Sequence, residues 1–271
     1  MANTLGKIKN IIAKLCKVRR GKLLTKILGP LHKIDHCLIE IDITYKCNLK
    51  CYNCDRSCSQ APSDDSMTVT QIRKFIKESI EQNRKWKRIR ILGGEPTLHP
   101  ELLEILNVFV RYKNDFSPRT NIELVTNGFG EEVNNVLARV PKDIIVKNTY
   151  KLSQKQQFVS FNNAPIDFKE YRYLDYSNGC RHLESCGIGL TKYGYYPCAP
   201  GGGIDRVFGL DIGKKKLPSP NDSMKDQMLI LCKFCGWALP SAKIVTEEKM
   251  SPVWIEAYKK YKCKKPELMP Y

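Results

Sequence analysis

Cys47-Asn48-Leu49-Lys50-Cys51-Tyr52-Asn53-Cys54 places three cysteines in the spacing C-x3-C-x2-C. The stretch follows a predicted strand at residues 38–44, in which isoleucines alternate with polar residues. Three thiolates this close in sequence can hold one inorganic cluster and leave a fourth metal corner open for a small molecule. A zinc knuckle completed from elsewhere in the chain, or cysteines that fill a core, are the alternative interpretations.

A second motif, Gly93-Gly94-Glu95-Pro96, follows a predicted strand at residues 88–92. Paired glycines allow a backbone to come close to a ligand because no Cβ intrudes. A helix is predicted directly after the motif, with Pro100 at its start. Its apolar face is formed by Leu102, Leu103, Leu106, Phe109 and Val110.

Over about residues 36–150, this order of strand, cysteine triplet, helix, strand, G-G-E-P and helix resembles the radical S-adenosylmethionine (radical SAM) superfamily. The resemblance implies a [4Fe–4S] cluster on Cys47, Cys51 and Cys54, whose fourth iron binds SAM. It implies that one electron, from a flavodoxin- or ferredoxin-type reductant, splits SAM into a 5′-deoxyadenosyl radical that takes hydrogen from a substrate. The family usually has an aromatic residue just before the third cysteine, where this chain has Asn53, with Tyr52 one position earlier.

The resemblance also implies a set of residues around SAM. The G-G-E-P motif would line its methionine end. Strands predicted at 121–125 and 144–146 end at polar residues that would touch the ribose or the carboxylate; a plain turn and a solvated lysine are the alternatives. The candidates are Gly93, Gly94, Glu95, Pro96, Thr126, Asn127 and Lys147.

The repeating strand–helix pattern, with motifs at the carboxyl ends of strands, predicts an α/β fold: a partial, open parallel β/α TIM-like barrel followed by a small cysteine-rich auxiliary domain. Residues 157–161 are a predicted fifth strand, and a helix is predicted at 69–84 with Thr70 as its cap. The predicted domains are a basic amphipathic extension (1–36), the barrel (37–170), the auxiliary cluster domain (175–240), and a last helix with a loose tail (241–271).

A second cysteine group lies in the last hundred residues: Cys180, Cys186, Cys198, Cys232 and Cys235. A hairpin turning at Tyr193-Gly194 would bring Cys186 and Cys198 to one end. The pair Cys232-x2-Cys235 offers two ligands to one site, which suits iron–sulfur or zinc; unliganded thiols are a third interpretation. Gly201-Gly202-Gly203 does not follow a strand as a phosphate-binding loop would, and we expect a turn there.

This region resembles the SPASM or Twitch extension of radical SAM enzymes. The matching positions are Cys186, Gly194, Cys198, Cys232 and Cys235, with Cys180 as a spare or substitute ligand. Too few cysteines remain for the two auxiliary clusters of the full SPASM form. The resemblance therefore implies one auxiliary [4Fe–4S] cluster, with zinc as the alternative.

Composition limits the class of protein. Twelve cysteines without a visible secretory signal or membrane span, in a chain that needs reduced thiols, predict a cytoplasmic location. The formal net charge of +17 favours anionic partners. Residues 1–30 are basic and amphipathic, so they form either a helix packed on the main domain or a contact with an anionic membrane surface or partner. Aromatic and basic residues do not interleave, so no nucleic acid is expected.

The resemblance implies oxidation of a small polar or sugar-like molecule, such as 2-deoxy-scyllo-inosamine, and the basic charge adds phosphorylated or nucleotide-linked sugars as candidates. Modification of a peptide or protein is the second hypothesis. A non-catalytic cluster- or zinc-binding protein is an alternative of a different class. No catalytic acid or base is assigned, and the residues that could face the cavity are Glu40, Asp42, Arg56, Tyr193 and Tyr196.

Overall fold

A computed structural model describes residues 21–171, 173–239 and 247–271. Its centre is one six-stranded sheet in the order β4-β3-β2-β1-β5-β6. Strands β1 to β5 run parallel, and β6 is antiparallel to β5. The sheet does not close, which confirms the predicted open α/β barrel. The strands are β1 (Leu38–Thr44), β2 (Arg88–Gly93), β3 (Asn121–Thr126), β4 (Ile145–Asn148), β5 (Ile188–Thr191) and β6 (Gly194–Tyr196).

Helices follow most strands. The cap of the second helix is Thr68, in a reciprocal pair with Gln71, and the predicted cap Thr70 lies inside the helix. Thr68 takes this role because its backbone is still extended. The helices are α1 (Lys22–Leu28), α2 (Val69–Glu81), α3 (Leu102–Asp115), α4 (Glu131–Leu137), α5 (His182–Ser185), α6 (Ala199–Phe208), α7 (Lys225–Leu231) and α8 (Pro252–Cys263).

The central strand β1 is buried along its whole length because β2 and β5 flank it and both of its faces are covered. Ile39, Ile41 and Ile43 belong to the main hydrophobic core, together with Phe75 of α2 and Phe109 of α3. Successive side chains of a strand point to opposite faces. The residues between the isoleucines therefore project to the side of the sheet opposite this core.

The predicted fifth strand was placed wrongly. Residues 157–161 form no strand in the described part of the chain, and β5 pairs in parallel with β1 instead. Phe161 is buried in a second core against Trp254 of α8. A short apolar run does not distinguish a strand from a buried loop. The predicted hairpin at Tyr193-Gly194 is confirmed as β5–β6, and it extends the same sheet as the barrel strands.

The predicted turn at residues 201–203 is also wrong, because these glycines lie in helix α6. A Cβ on Gly202 would come within 2.5 Å of Thr191 Cγ2. A Cβ on Gly203 would lie 3.2 Å from Arg56 Cα. The glycines therefore allow α6 to pack closely against β5 and against the loop that follows the cysteine triplet.

The C-terminal tail, predicted to be loose, is docked. Tyr271 is buried, and its hydroxyl donates to Glu78 Oε2 at 2.7 Å. Its ring packs edge-on against Tyr195, and its carbonyl accepts from Gln71 Nε2 at 3.0 Å. A buried phenol with satisfied polar atoms is a stable anchor, and composition alone does not reveal one.

The predicted amphipathic extension falls mostly on residues 1–20, outside the described residues. Its described end, α1, exposes Leu23 and Ile27. In the portion of the chain described here, no helix combines the length and the hydrophobicity that a membrane crossing requires.

Candidate functional site

The cysteine triplet lies at the carboxyl ends of β1, β2 and β3, beside a cavity of about 230 Å³. The structure brings together most of the residues predicted for this site. The predicted residues that line the cavity are Cys47, Cys51, Cys54, Gly93, Gly94, Thr126 and Asn127. Glu95, Pro96 and Lys147 are not among the lining residues.

The glycine pair is required by the protein's own backbone. Gly93 has φ +140°, and a Cβ there would lie 2.2 Å from the carbonyl oxygen of Thr44. A Cβ on Gly94 would lie 2.2 Å from the carbonyl oxygen of Lys46. Gly94 N donates to Thr44 O, and Glu95 N donates to Lys46 O, both at 2.8 Å. The end of β2 is thereby joined to the residues just before Cys47.

Glu95 is fully buried and does not line the cavity, but its carboxylate holds residues that do. Its Oε1 accepts from the Thr97 hydroxyl and the Thr126 hydroxyl at 2.8 Å, and from Thr97 N at 3.1 Å. Its Oε2 accepts from Asn127 N at 2.8 Å. Asn127 in turn donates through Nδ2 to Asn48 Oδ1 at 2.8 Å. One carboxylate therefore holds the ends of β2 and β3 and, through Asn127, the cysteine loop.

The unusual Asn53 has a structural role in this chain. Its φ of +53° is in the left-handed region, which asparagine tolerates better than an aromatic residue does. Asn53 N donates to Glu248 Oε1 at 2.9 Å, and its Nδ2 donates to the Glu247 carbonyl at 2.9 Å. Gln60 Nε2 joins Glu248 to the Cys51 carbonyl. The cysteine loop is therefore fastened to residues 247–249.

The thiols of the triplet differ in their environments. Burial raises the pKa of Cys47 and of Cys51 to about 12. A hydrogen bond from the Cys58 thiol lowers the pKa of Cys54. Cys58 is buried and also lines the cavity. Three thiols and a glycine wall around one cavity fit a [4Fe–4S] cluster in the type of donor and in the space beside it.

Lys147, the predicted partner of the SAM carboxylate, is exposed on the edge strand β4, opposite Val125 in register. Lys151 lines the cavity instead, because its backbone N donates to Asn127 O at 2.8 Å and draws the loop across the end of β3. Sequence reasoning missed Lys151, together with Asp55 and Phe158. A basic residue a few positions past the fourth strand was the only signal for Lys151.

Comparison with known proteins agrees with this geometry. Residues 41–146 match the family model for the radical SAM superfamily. The chain contains a radical SAM domain. The match begins within β1 and ends within β4, so it includes the triplet, the G-G-E-P motif and Thr126-Asn127.

Relatives of the radical SAM domain include GTP 3′,8-cyclase of Aliarcobacter butzleri, 31% identical over 36% of this chain and 28% of that protein. A probable GTP 3′,8-cyclase of Methanococcus aeolicus is 34% identical over 37% of this chain and 32% of that protein. The matched stretch thus spans less than a third of either relative. The crystal structure of BtrN in complex with AdoMet and 2-DOIA aligns with 81% of this chain and 98% of that chain, at 14% identity and a TM-score of 0.44.

An ionic network lies on the side of the sheet opposite the main hydrophobic core. Arg56 Nη2 lies 2.9 Å from Glu40 Oε2, and Arg56 Nε lies 3.5 Å from Asp42 Oδ1. Arg90 Nη1 lies 2.8 Å from Glu40 Oε1, and Arg90 Nε lies 3.0 Å from Glu123 Oε2. Burial raises the pKa of Asp42 to about 7. Among the described residues, nothing hydrogen-bonds to Asp42 Oδ2.

Two other predicted cavity residues point elsewhere. The Tyr193 hydroxyl donates to Asp65 Oδ2 at 2.7 Å, and the buried Tyr196 hydroxyl donates to Asp205 Oδ2 at 2.5 Å. Neither tyrosine lines the cavity beside the triplet, whereas Arg56 does. Of the predicted candidates, Arg56 is therefore the one that reaches both the cavity and the network.

The second cysteine group surrounds a smaller cavity behind the hairpin. Cys180, Cys198, Cys232 and Cys235 line it, and Cys186 does not. Cys198 precedes α6, and Cys232 ends α7, so two helix ends and the loop at residue 180 bring the four thiols together. Burial raises the pKa of Cys186 to about 11, and the neighbouring Glu40 carboxylate adds to the effect. Cys186 therefore lies towards the ionic network.

Over residues 21–171, 173–239 and 247–271, no three histidine, cysteine or acidic side chains are arranged to share a single metal ion. The thiolates of a [4Fe–4S] cluster bind different irons, so that group requires sulfur atoms that are further apart. Four thiols around one cavity fit such a cluster in the chemistry of the donors.

Proposed function

We propose that this protein is a radical SAM enzyme that oxidises a small polar, hydroxyl-bearing molecule with the help of an auxiliary [4Fe–4S] cluster. The supporting observation is that the triplet, the glycine pair and Thr126-Asn127 share one cavity at the carboxyl ends of parallel strands. A cluster bound there would supply one-electron reduction of SAM, which provides the hydrogen-abstraction chemistry for the substrate.

The chain's own residues position and shield this reaction. Cys47, Cys51 and Cys54 would hold the cluster, and Lys151, which lines the cavity, would pair with the SAM carboxylate in place of Lys147. Glu95 fixes the cavity wall through its four hydrogen bonds. A fixed wall keeps the reacting groups in a constant orientation.

We assign the auxiliary cluster to Cys180, Cys198, Cys232 and Cys235. This set differs from the sequence-based one, which named Cys186 as a ligand and Cys180 as a spare. The shared cavity of the four thiols supports the revised set. Cys186 would then lie between the auxiliary cluster and the network of Glu40 and Arg56, on the route by which an electron leaves the substrate.

The charge of the network supports a substrate that is neutral or carries an amine. Four carboxyl groups (Glu40, Asp42, Asp55 and Glu123) surround two guanidinium groups (Arg56 and Arg90). The three polar contacts of Arg56 all go to carboxylates, so its charge is already neutralised. A phosphorylated or nucleotide-linked sugar, which the basic composition favours, would meet net negative charge here. For the same reason we do not extend GTP cyclisation to this chain.

Anaerobic iron and sulfide quantitation with Mössbauer spectroscopy tests the proposal. The reconstituted parent should hold about eight irons, and the triple variant Cys47→Ala/Cys51→Ala/Cys54→Ala about four. Parent protein given SAM and dithionite should form 5′-deoxyadenosine. A fully loaded protein that forms none would favour a non-catalytic cluster-binding protein. If zinc occupies the second site, that site is structural. Zinc cannot accept an electron, so the argument that the reaction is an oxidation would be lost.

A further inference from the structure

The free edge of the sheet carries an unusual group of exposed apolar side chains. β4 pairs only with β3 among the described strands. Ile145 and Val146 on β4 are 40% and 39% exposed, and Tyr150 and Leu152 in the following loop are 75% and 93% exposed. We call these four residues the β4 edge surface. Exposed apolar groups along a sheet edge favour association with another molecule.

Lysines are frequent in the segment that carries this surface and in the neighbouring cysteine loop. Residues 46–54 and 144–166 contain no aspartate or glutamate, and the exposed Asp143 lies directly before the second segment. The same two segments carry five lysines: Lys46, Lys50, Lys147, Lys151 and Lys155. An apolar centre with a charged rim is the usual anatomy of a transient protein interface, and a mainly basic rim favours an acidic partner.

This surface adjoins the cysteine loop. Lys50 N donates to Gln154 O at 2.7 Å, and Tyr52 N donates to Gln156 O at 2.8 Å. The loop after β4 is therefore hydrogen-bonded along the residues that flank Cys51. A molecule bound on the β4 edge surface would lie directly beside the triplet.

We propose that the β4 edge surface is the docking site of an acidic one-electron carrier protein, which delivers the electron to the cluster on the triplet. The inference rests on the proposed function, since the electron is needed only if that cluster is reduced. The charge of the rim and its contact with the cysteine loop favour an electron carrier over a peptide substrate. An electron carrier must come close to the cluster, whereas a peptide substrate has no need to bind beside the cysteine loop.

Two reductants separate the docking site from the chemistry. Reduced flavodoxin has to dock, whereas dithionite is small and bypasses the surface. The test variants are Lys50→Glu/Lys155→Glu and Tyr150→Ser/Leu152→Ser, all at exposed positions outside the cavity lining. The matched charge control is Lys87→Glu/Arg119→Glu, at exposed positions beside the amino ends of β2 and β3, away from the triplet.

With flavodoxin at low ionic strength, both test variants should form 5′-deoxyadenosine about tenfold more slowly than the parent, and the charge control at the parent rate. With dithionite all four proteins should be equal. Salt should slow the parent with flavodoxin and affect the Lys50/Lys155 variant little. Equal rates of 5′-deoxyadenosine formation with flavodoxin in all four proteins would overturn the proposal. The β4 edge surface would then be a candidate binding site for a protein substrate. If dithionite yields no product, the proposed function fails, and isothermal titration with oxidised flavodoxin still decides whether the surface binds it.

Discussion

Arg56 Nη2 lies 2.9 Å from Glu40 Oε2, so the residue two positions after the third cysteine is held by the central strand of the sheet. The same guanidinium contacts Asp42 and Asp55. Because Arg56 also lines the cavity, the position of the cysteine loop depends on a buried ionic network.

Replacing Arg56 by Gln should lower the free energy of unfolding by about 3–5 kcal/mol, because buried carboxylates lose their cation. Urea unfolding of anaerobic samples measures this. Arg73→Gln is the control, since its pair with Glu104 is more than half exposed and should contribute less than about 1 kcal/mol. Equal losses in the two variants would show that the network does not hold the loop.

Asp42 should give stability a distinctive pH dependence. Its folded-state pKa of about 7 lies above the ordinary value, so folding takes up a proton between about pH 4 and 7. Stability should therefore fall as the pH rises through that window and level off above it. Relative to Asp42→Asn, the parent should lose about 2 kcal/mol between pH 5 and 7. Urea unfolding across this range measures the difference, and the exposed Asp143→Asn controls for net charge; parallel curves for parent and Asp42→Asn would contradict the prediction.

Glu95 should affect SAM binding without affecting the amount of cluster. Glu95→Gln replaces a carboxylate oxygen by an amide NH₂, which cannot accept from the hydroxyls or backbone N–H groups that now surround it. We expect the Kd for SAM to rise at least tenfold, about 1.4 kcal/mol, while iron content stays at the parent value. Equilibrium dialysis measures binding, with the exposed Glu101→Gln as control. Loss of iron together with SAM binding would contradict this prediction and show that the link from Glu95 through Asn127 to Asn48 also determines cluster binding.

The second cysteine site can be tested one thiol at a time. Cys180→Ala should reduce the iron content of reconstituted protein from about eight to about four, because it removes one of four thiols around one cavity. Cys186→Ala should keep about eight, since Cys186 lies beside Glu40. The opposite result would restore the ligand set that the sequence pattern suggested.

The exposed apolar residues of α1 allow a test of membrane contact. Leu23 and Ile27 are 73% and 68% exposed, on a helix that ends a strongly basic segment. We expect the parent to co-sediment with anionic liposomes, and both a variant lacking residues 1–30 and Leu23→Ser/Ile27→Ser to do so much less. Equal sedimentation by all three would exclude this surface, and neutral liposomes control for charge.

The sequence by itself predicted the parts of this protein that depend on short-range pattern. The spacing of Cys47, Cys51 and Cys54 and the glycine pair predicted residues that line the first cavity, because a cysteine triplet and a close backbone approach are both encoded within a few residues. Alternating isoleucines located β1, and the Tyr193-Gly194 turn located the β5–β6 hairpin. The open barrel followed from the repeated strand–helix order.

Only the tertiary structure decided which distant groups meet. Cys180, and not Cys186, lines the second cavity, where the start of α6 and the end of α7 place Cys198 and Cys232. Spacing along the chain does not reveal this arrangement. The three glycines at 201–203 are helical because α6 must pack closely on Thr191 and Arg56. Tyr271 is fixed by Glu78 and Gln71, which lie almost two hundred positions away. Packing and buried polar contacts between remote segments depend on the whole fold, and local pattern leaves them open.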